Sequence, residues 1–553
     1  MSTTPELPGH APSPPDDEKP EKFNKDPRFW AIIATLCVIG ILSALENTVV
    51  TTSLPFIVTQ LDLGDNYVWV ANIFFLTSAA VQPLFGQLAN IFGRRHITLL
   101  IVSLFTLGSG LAGGANNMAT ILAGRAIQGM GSGGINMIVD VIVSDLVPLR
   151  ERGNYTAYVL LIYFVGTALG PYVGGALIAT TTWRWVFWIN LPVGGVSLIM
   201  ILLFLNVKHK KEMTFTQKLR RIDYAGNALL IASTISVLFA TTYGGTRYPF
   251  SSFRIVVPLV LGLLGLVAFL FLETAKFIPE PVIPYRLFNN RTSATVFAVT
   301  FLNSALLYWI LFFLPVYFQS VLGSSPTQAG VQLLPSIVIA IPAAIAAVLL
   351  LAKFGKYKPL HLVGFALNTI GLGLFSLLDE NSSRAEWVIF QIIAAGGSGF
   401  VLNTLLPACQ TPLEESDQAA ATATWSFVRS FGNIWGVAIP AAIFNNYFNQ
   451  MAHRISDPEV AAMFTNGKAY ESATAELINS FPPDIKREIV SVYSDSLKYV
   501  WYISVVFSGV AFFLVFLEKQ IKMRTELDTE YGLAQEKKKD SEQAIPAIDE
   551  KSA

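Results

Sequence analysis

The feature that most constrains this chain is a series of apolar runs, each about 20 residues long. A helix of that length crosses the roughly 30 Å hydrocarbon core of a bilayer. About 14 such runs lie between positions 29 and 517. Only 14% of the residues are charged and 53% are hydrophobic, whereas soluble proteins have about a quarter of their residues charged. The sequence therefore predicts an all-α protein that crosses a membrane many times.

Basic residues cluster in alternate short loops, and this asymmetry predicts the orientation of the chain. The basic-poor loops hold Arg184, Arg247, Arg254 and Arg384. The basic-rich loops are expected in the cytosol together with both termini. They hold Arg94, Arg95, Arg150, Arg152, Lys208, Lys210, Lys211, Lys218, Arg220, Arg221, Lys276, Arg286, Arg291, Lys353, Lys356 and Lys358.

Composition also predicts the order of domains along the chain. Both tails are rich in polar and charged residues and are expected to be disordered in the cytosol. The expected units are a tail at 1–28, a six-helix bundle at 29–206, a basic loop at 207–223, two extra spans at 224–272, a linker at 273–293, a second six-helix bundle at 294–517 with a long outer loop at 445–496, and a tail at 518–553.

A short internal repeat supports two related halves. The stretch FGRRHITLL at 92–100 follows the second apolar run, and FGKYKPLHL at 354–362 follows the tenth. Transporters built from parallel repeats hold their substrate between the halves, near mid-membrane. The repeat therefore indicates such a plan, with the spans at 224–272 inserted between the halves.

Several other classes of protein find no support in the sequence. No G-x-x-x-x-G-K-[ST] phosphate loop occurs, so an ion gradient is the favoured energy source. The five histidines are scattered and form no metal or nucleophile pattern, and we expect neither a cofactor nor a metal. Cys37 and Cys409 lie in or beside apolar runs, which argues against a disulfide framework.

Asn381 begins an N-x-S sequon in an outer loop and is a candidate glycosylation site.

One apolar run carries a stripe of polar residues. They recur every three or four positions and so share one face of a helix: Arg125, Gln128, Ser132, Asn136 and Asp140. A polar stripe on a spanning helix must face protein or water rather than lipid. We expect it to line a cavity; polar contacts that only hold helices together are the alternative.

Glu46 lies within the first apolar run, where a carboxylate costs roughly 2.5–3.5 kcal/mol to insert. Both Glu46 and Arg125 fall in the outer halves of their predicted helices, so the two side chains could meet. Arg429, in the thirteenth run, is a further candidate for the cavity. Its long side chain could instead extend to the cytosolic surface.

Five stretches of the chain resemble the major facilitator superfamily, and within it the 14-helix drug:proton antiporters in their fungal form. The resemblance covers about residues 29–517. The stretches are GQLANIFGRR at 86–95, LAGRAIQGMGSGG at 122–134, SDLVPLRERG at 144–153, GTALGPYVGGAL at 166–177 and WRWVFWINLPVG at 183–194.

The first of these stretches resembles the family's loop between its second and third helices. The resemblance implies an inner gate formed by Gly86, Asn90, Gly93, Arg94 and Arg95, with a tight turn at Gly93. The family usually has Asp where this chain has Asn90. An amide cannot supply the charge pair attributed to that Asp.

The stretch at 166–177 resembles the helix motif that marks antiporters in this superfamily. Its residues are Gly166, Gly170, Pro171, Gly174 and Gly175. Glycines four apart leave bare backbone on one helix face and allow close helix approach. Pro171 removes a backbone hydrogen bond and can bend the helix. We expect this face at the interface along which the two halves move.

Glu46, Asn47 and Thr48 stand where the family has D-x-T. We hypothesise that Glu46 alternates between a protonated form and an ionised form beside Arg125, with Asp140 as a second proton-coupling residue. Asn47, Gln128, Ser132, Asn136 and Arg429 are expected in the substrate cavity. The alternative for Glu46 is a static ion pair that ties two helices together.

By resemblance, the chain is expected to be a proton-coupled antiporter, not an enzyme, that exports small amphipathic compounds such as drugs, toxins or secondary metabolites. It is expected to act as a monomer in the plasma membrane, with small molecules, protons and lipid as its partners and no nucleic acid. One alternative is a proton-coupled importer, or a vacuolar transporter, of a basic amino acid or siderophore. A remote alternative is a membrane sensor that does not transport.

Overall fold

The protein is helical throughout the part of the chain that its structure, a computed structural model, describes. The described residues are 26–61, 68–149, 151–206, 214–244, 248–275, 278, 280–414, 417–465, 467–470 and 472–523. Within them the single extended pairing is an isolated bridge between Gly244 and Tyr248. Most of both tails lies outside the described residues, as do the basic residues Arg150, Lys208, Lys210, Lys211, Arg247 and Lys276.

The first half of the fold contains eight helical segments. They are α1 (Pro27–Leu61), α2 (Val68–Ala80), α3 (Gln82–Phe92), α4 (Arg94–Gly113), α5 (Met118–Leu146), α6 (Arg152–Thr180), α7 (Arg184–Trp188) and α8 (Asn190–Phe204). We call this group the N-half.

A hairpin of two long helices separates the halves. It consists of α10 (Tyr224–Tyr243) and α11 (Phe253–Leu272), preceded by the short α9 (Phe215–Arg220). The exposed face of α11 is strongly apolar: Leu261, Leu264 and Phe271 each expose 60% or more of their surface. Such surfaces suit contact with lipid.

The second half, the C-half, runs from α12 to α20. Its helices are α12 (Arg291–Ser320), α13 (Pro326–Phe354), α14 (Lys358–Phe375), α15 (Arg384–Leu402), α16 (Leu405–Gln410), α17 (Gln418–Met451), α18 (Pro458–Phe464), α19 (Ala475–Asn479) and α20 (Pro483–Val515).

Among the described residues, twelve helices are long and apolar enough to cross a membrane. The bent pair formed by α2 and α3, with an angle of 44° between its parts, makes up to thirteen. The eleventh of the fourteen expected spans begins near residue 360, where the structure has α14. This helix begins with Lys358 and carries His361 and Asn368, and it falls outside the twelve. The count of fourteen remains a prediction.

Both described ends of the chain lie on the same side of the helix bundle. Arg28, at the start of α1, donates a hydrogen bond of 3.1 Å to the carbonyl of Asn206, just after α8. The backbone N–H of Lys519, just after α20, donates to the hydroxyl of Thr292 in the first turn of α12 at 3.0 Å. We call this side, where α1 begins and α20 ends, the terminal face, and the opposite side the outer face.

Helices extend into both ends of the segment expected as an outer loop at 445–496, since α17 continues to Met451 and α20 begins at Pro483. Pro483 is in the first turn of α20, where a missing N–H costs nothing. The first turns of α20 are polar, so hydropathy assigned them to the loop. The remaining connection at 452–482 contains α18 and α19.

Glycines bring α4 and α5 unusually close together. A Cβ atom at Gly108 would lie 2.3 Å from the backbone nitrogen of Gln128, and one at Gly131 would lie 2.4 Å from that of Phe105. Any side chain at these glycines would therefore push the helices apart. The close packing fixes the register of α5, and with it the position of the polar stripe.

Candidate functional site

The two ionisable residues that the sequence brings to attention form a buried ion pair. The Nη1 atom of Arg125 lies 2.5 Å from the Oε1 atom of Glu46. Arg125 exposes 2% of its surface and Glu46 none. Because each charge alone would be costly in this environment, the pair is a point at which loss or gain of one proton changes the local energy greatly.

Further polar groups satisfy the rest of the ion pair. Arg125 donates through Nε to the carbonyl of Val70 at 2.8 Å and through Nη1 to Gln128 at 2.7 Å. Its guanidinium lies 4.2 Å from the ring centre of Phe74. Gln128 in turn donates to the hydroxyl of Ser109 at 2.7 Å. The pair therefore joins α1, α2, α4 and α5 within the N-half.

Asn190 also belongs to this site, although the sequence did not single it out. Its side-chain nitrogen donates to the Oε2 atom of Glu46 at 2.7 Å, and only 2% of its surface is exposed. Asn190 begins α8 and lies in the aromatic stretch at 183–194. A polar side chain within an apolar, Trp-rich segment was the available signal.

The residues of the polar stripe of α5 lie in two different environments. Ser132 and Ser43 of α1 share a hydrogen bond of 2.7 Å, and Ser43 donates to Asn136 at 3.3 Å. Gln128 and Ser132 are fully enclosed. Ser43, Gln128 and Ser132 therefore hold helices of the N-half together in this structure, whereas the expectation that the stripe lines a substrate cavity stays a prediction.

Asp140, at the terminal end of the stripe, differs from the residues above it. It lines a cavity between the halves together with Arg429 of α17. The cavity volume is about 30 Å³, room for a water molecule or two. Arg429 lies over the ring of Trp425 at 4.6 Å. Among the described residues, neither Asp140 nor Arg429 has a hydrogen-bond or ion-pair partner, so these two opposite charges face shared space.

The two halves are in contact at and near the terminal face. Arg152 of α6 donates to the side-chain oxygens of Gln410 at 2.8 Å and Gln418 at 2.6 Å. Nearer mid-bundle, Gln82 of α3 donates to the hydroxyl of Ser430 at 3.0 Å. No hydrogen bond between described residues joins the N-half to the C-half near the outer face. The structure is therefore closed on the terminal side.

The loop between α3 and α4 forms a clamp whose acidic member is Asp145. Arg94 lies 2.7 Å from a carboxylate oxygen of Asp145, at the end of α5. It also donates to the side-chain oxygen of Asn90 at 2.9 Å and to the carbonyl of Ala89 at 2.8 Å. The carboxylate partner that Asn90 cannot provide thus comes from another helix, and no sequence pattern pointed to Asp145.

The other residues of the loop have separate contacts. Gly93 adopts φ 90°, which favours glycine, and links α3 to α4 directly. Arg95 donates to the carbonyl of Leu202 in α8 at 2.6 Å. A Cβ atom at Gly86 would lie 2.3 Å from the Cβ atom of Ala423, so Gly86 allows α3 to touch α17 of the other half.

The Asp145 pair gives a sharp prediction, because Asn90 already lies beside the same guanidinium. Asp145→Asn is expected to lower the free energy of unfolding by about 3 kcal/mol, since it removes the carboxylate that lies 2.7 Å from the buried guanidinium of Arg94. Adding Asn90→Asp to that variant should recover most of the loss, whereas Asn90→Asp alone should change little. Thermal unfolding of the three purified variants measures this. A double variant no more stable than Asp145→Asn would contradict it.

The glycine motif of α6 is placed differently from the expectation. A Cβ atom at Gly166 would lie 2.9 Å from that of Ala44, so this glycine packs against α1 of the same half and not against the C-half. The close approach sets α1 in position two residues before Glu46. Gly170 and Gly174 are buried. Helix α6 continues through Pro171, while the side chains of Asn47 and Pro171 and the surroundings of Gly175 lie outside the described part.

A pair of carboxyl groups closes the base of the α10–α11 hairpin. Asp223 precedes α10 and Glu273 follows α11, and both are buried. Among described residues, one carboxyl oxygen of each has no hydrogen-bond partner. Burial raises the pKa of Glu273 to about 8, and the neighbouring Asp223 adds to the rise. A proton held between the two carboxyls would satisfy both oxygens.

The base of the hairpin is therefore expected to loosen at alkaline pH. The folded-state pKa of Glu273 is raised, so the protonated contact is present at lower pH and is lost as the pH rises through about 8. Amide hydrogen exchange at 223–227 and 280–283, corrected for its intrinsic pH dependence, should speed up between pH 7 and pH 9. The Glu273→Gln variant should lack this change; an equal change in that variant would assign it to another group.

This chain is similar to known proteins in both sequence and fold. The family model described as Major Facilitator Superfamily matches residues 36–437. The MFS-type transporter TwmF of Talaromyces wortmannii is 50% identical over 94% of this chain and 95% of its own length. The efflux pump FUS6 of Gibberella fujikuroi is 45% identical over 94% of each chain. Among solved structures, the human organic anion transporter MFSD10 superposes with a TM-score of 0.56 at 14% identity, over 89% of this chain and 100% of its own.

Proposed function

This chain belongs to the Major Facilitator Superfamily of membrane transporters, and from that premise we propose that it exports small amphipathic organic molecules in exchange for protons. Several relatives, FUS6 among them, are named as efflux pumps. The aromatic and amide-rich interior of this chain suits cargo of mixed polarity. The chain would act as a monomer with 14 spans and cytosolic termini, in the plasma membrane or, as the alternative, the vacuolar membrane.

The observation that carries the proposal is the enclosed pair of Glu46 and Arg125. A carboxyl without access to water cannot exchange its proton, so exchange requires the helices around it to separate. That requirement ties protonation of Glu46 to a change of conformation. Transport by alternating access needs such a link, because protons must not pass without cargo.

The steps follow from the contacts around the pair. With the terminal face closed, a proton arriving from outside would neutralise Glu46 and release its bonds to Arg125 and Asn190. Arg125 would keep Val70 and Gln128 as acceptors. After the halves rock and the terminal face opens, loss of the proton to the cytosol would restore the ion pair. Cargo bound on the cytosolic side would then be carried outward.

We assign Asp140 and Arg429 a role in the rocking step. They lie on different halves and face one cavity, and neither has a hydrogen-bond or ion-pair partner among the described residues. Their attraction favours the arrangement in which the terminal face is closed, and protonation of Asp140 would weaken it. A proton gradient of two pH units with about 100 mV supplies roughly 5 kcal/mol per proton. One carboxyl that cycles is therefore sufficient for a concentration gradient of several thousand-fold.

A vesicle assay tests the proposed function. The full chain is reconstituted in liposomes, and uptake of a panel of amphipathic compounds is followed with and without an imposed pH gradient. If the chain is an antiporter, molecules inserted inside out should take up the compound while protons leave the liposome. The lumen should then become more alkaline. Uptake that is equal without a gradient would contradict proton coupling, and uptake along the proton flux would favour the importer.

A further inference from the structure

The connection at 452–482 forms a compact outer cap on the C-half. Its core is aromatic and joins α17 and α20 to the cap: Phe444, Phe448, Phe464, Phe481 and Tyr493. The hydroxyl of Tyr493 donates to the carbonyl of Ala469 at 2.8 Å. These contacts hold Ala469 and Tyr470 beside α12, where the ring of Tyr470 packs against Phe313.

A pocket of about 330 Å³ lies between this cap and the outer part of α12. That volume is within the range of sites for small organic molecules. One wall belongs to α12 and the other to the cap, and the lining residues are Leu311, Phe312, Pro315, Val316, Gln319, Tyr470, Ala473 and Thr474.

The wall formed by α12 continues toward the space between the halves. Phe312 exposes 40% of its surface and stacks on Tyr308 one helical turn below, with a ring separation of 5.9 Å. On the surface of α12 these two rings form a short aromatic stripe that leads to the pocket under the cap.

The pocket has both apolar and polar lining residues, among them Gln319 and Tyr470. Neither the side-chain amide of Gln319 nor the hydroxyl of Tyr470 has a hydrogen-bond partner among the described residues. The ring of Tyr470 is positioned by Phe313 at 5.1 Å, and its backbone N–H donates to Asn445. Burial raises the pKa of Tyr470 to about 12, so its hydroxyl stays a neutral donor.

We propose that this pocket binds a ring-bearing apolar molecule through aromatic contact with Phe312 and a hydrogen bond from Tyr470 or Gln319 to an oxygen of the ligand. Apolar walls with a few positioned polar groups are typical of small-molecule sites. A planar ring fits against the exposed face of Phe312 better than a flexible chain does. At the outer end of the aromatic stripe, the pocket would hold cargo just before release.

The role in release rests on the proposed export function, whereas binding does not, so the test measures binding alone. The full chain in lipid nanodiscs is irradiated with benzophenone, a probe with two rings and one carbonyl oxygen, and labelled peptides are mapped by mass spectrometry. We expect saturable labelling at 311–319 and 470–474. Tyr470→Phe should raise the half-saturating concentration about threefold to tenfold, since one hydrogen bond is lost.

A variant whose side chain fills the pocket gives the stronger test. Leu311→Trp should lower labelling at both segments at least about fivefold, while the matched control Leu261→Trp, on the exposed face of α11, should leave it unchanged. Labelling that does not saturate and is no greater in the pocket than on α11 would overturn the proposal. So would unchanged affinity in Tyr470→Phe together with unchanged labelling in Leu311→Trp. Neither readout depends on a pH gradient. The pocket could therefore bind its ligand even if the export proposal fails, and export could be shown even if the pocket does not bind.

Discussion

Glu46→Gln is expected to abolish gradient-driven export while the protein remains folded. Glutamine has the same shape and can still accept a hydrogen bond from Arg125, but it cannot release or take up a proton. Losing a positioned proton-transfer group lowers rates by about a hundredfold or more. Liposomes with an imposed pH gradient and a compound that the unmodified chain transports give the measurement.

Two controls separate coupling from general damage. Exchange of labelled for unlabelled compound, with no pH gradient, needs no net proton transfer and should continue in Glu46→Gln. Glu46→Asp keeps the acid but shortens its reach to Arg125 and Asn190, so it should retain part of the driven export. Full gradient-driven export by Glu46→Gln would show that Glu46 is not the proton carrier. Its role would then be the alternative given above, a static ion pair that ties two helices together.

Arg125→Leu is expected to have the largest effect on stability. The substitution leaves Glu46 fully enclosed without its counter-charge and removes the bonds to Val70 and Gln128. Breaking a buried pair by removing one partner costs about 3–5 kcal/mol. A thermal unfolding series in detergent should show a marked loss. Lower pH should restore part of it, because the neutral acid is then favoured.

The double variant Glu46→Leu with Arg125→Leu identifies the cause. Replacing both members by apolar residues removes the unpaired charge, so most of the stability should return even though transport does not. If the double variant is as unstable as Arg125→Leu, the hydrogen bonds to Val70 and Gln128 matter more than the charge. Variants that regain stability without export would show that the pair is kept for function.

The ion pair was predictable because hydrocarbon-like surroundings make every charge conspicuous. Glu46 and Arg125 stand out in apolar runs, and both fall in the outer halves of their predicted helices, where their side chains can meet. The environment of Asp140 was not predictable in the same way. At 100° per residue, the 15 positions from Arg125 to Asp140 leave a rotation of about 60° between them. That rotation, over four helical turns, carries the stripe from α1 and α4 toward the C-half.

Asn190 and Asp145 were missed for opposite reasons. Asn190 is one amide in an aromatic stretch with no periodic polar neighbours, so nothing marked the face on which it lies. Asp145 is close to a loop, where acidic residues usually meet water. Only the packing of α3 and α4 against the end of α5 encloses it. Tertiary contacts decide both cases, and a single sequence does not contain them.

The substitution of Asp145 for the acid missing at Asn90 bears on how such chains are recognised. A sequence pattern that demands aspartate in the loop between the second and third spans would reject this protein, even though its arginine has a carboxylate partner 2.7 Å away. What the loop requires is one negative charge within reach of that guanidinium, from whichever helix brings it. A search for residues that are close in the folded structure would find family members that a sequence motif misses.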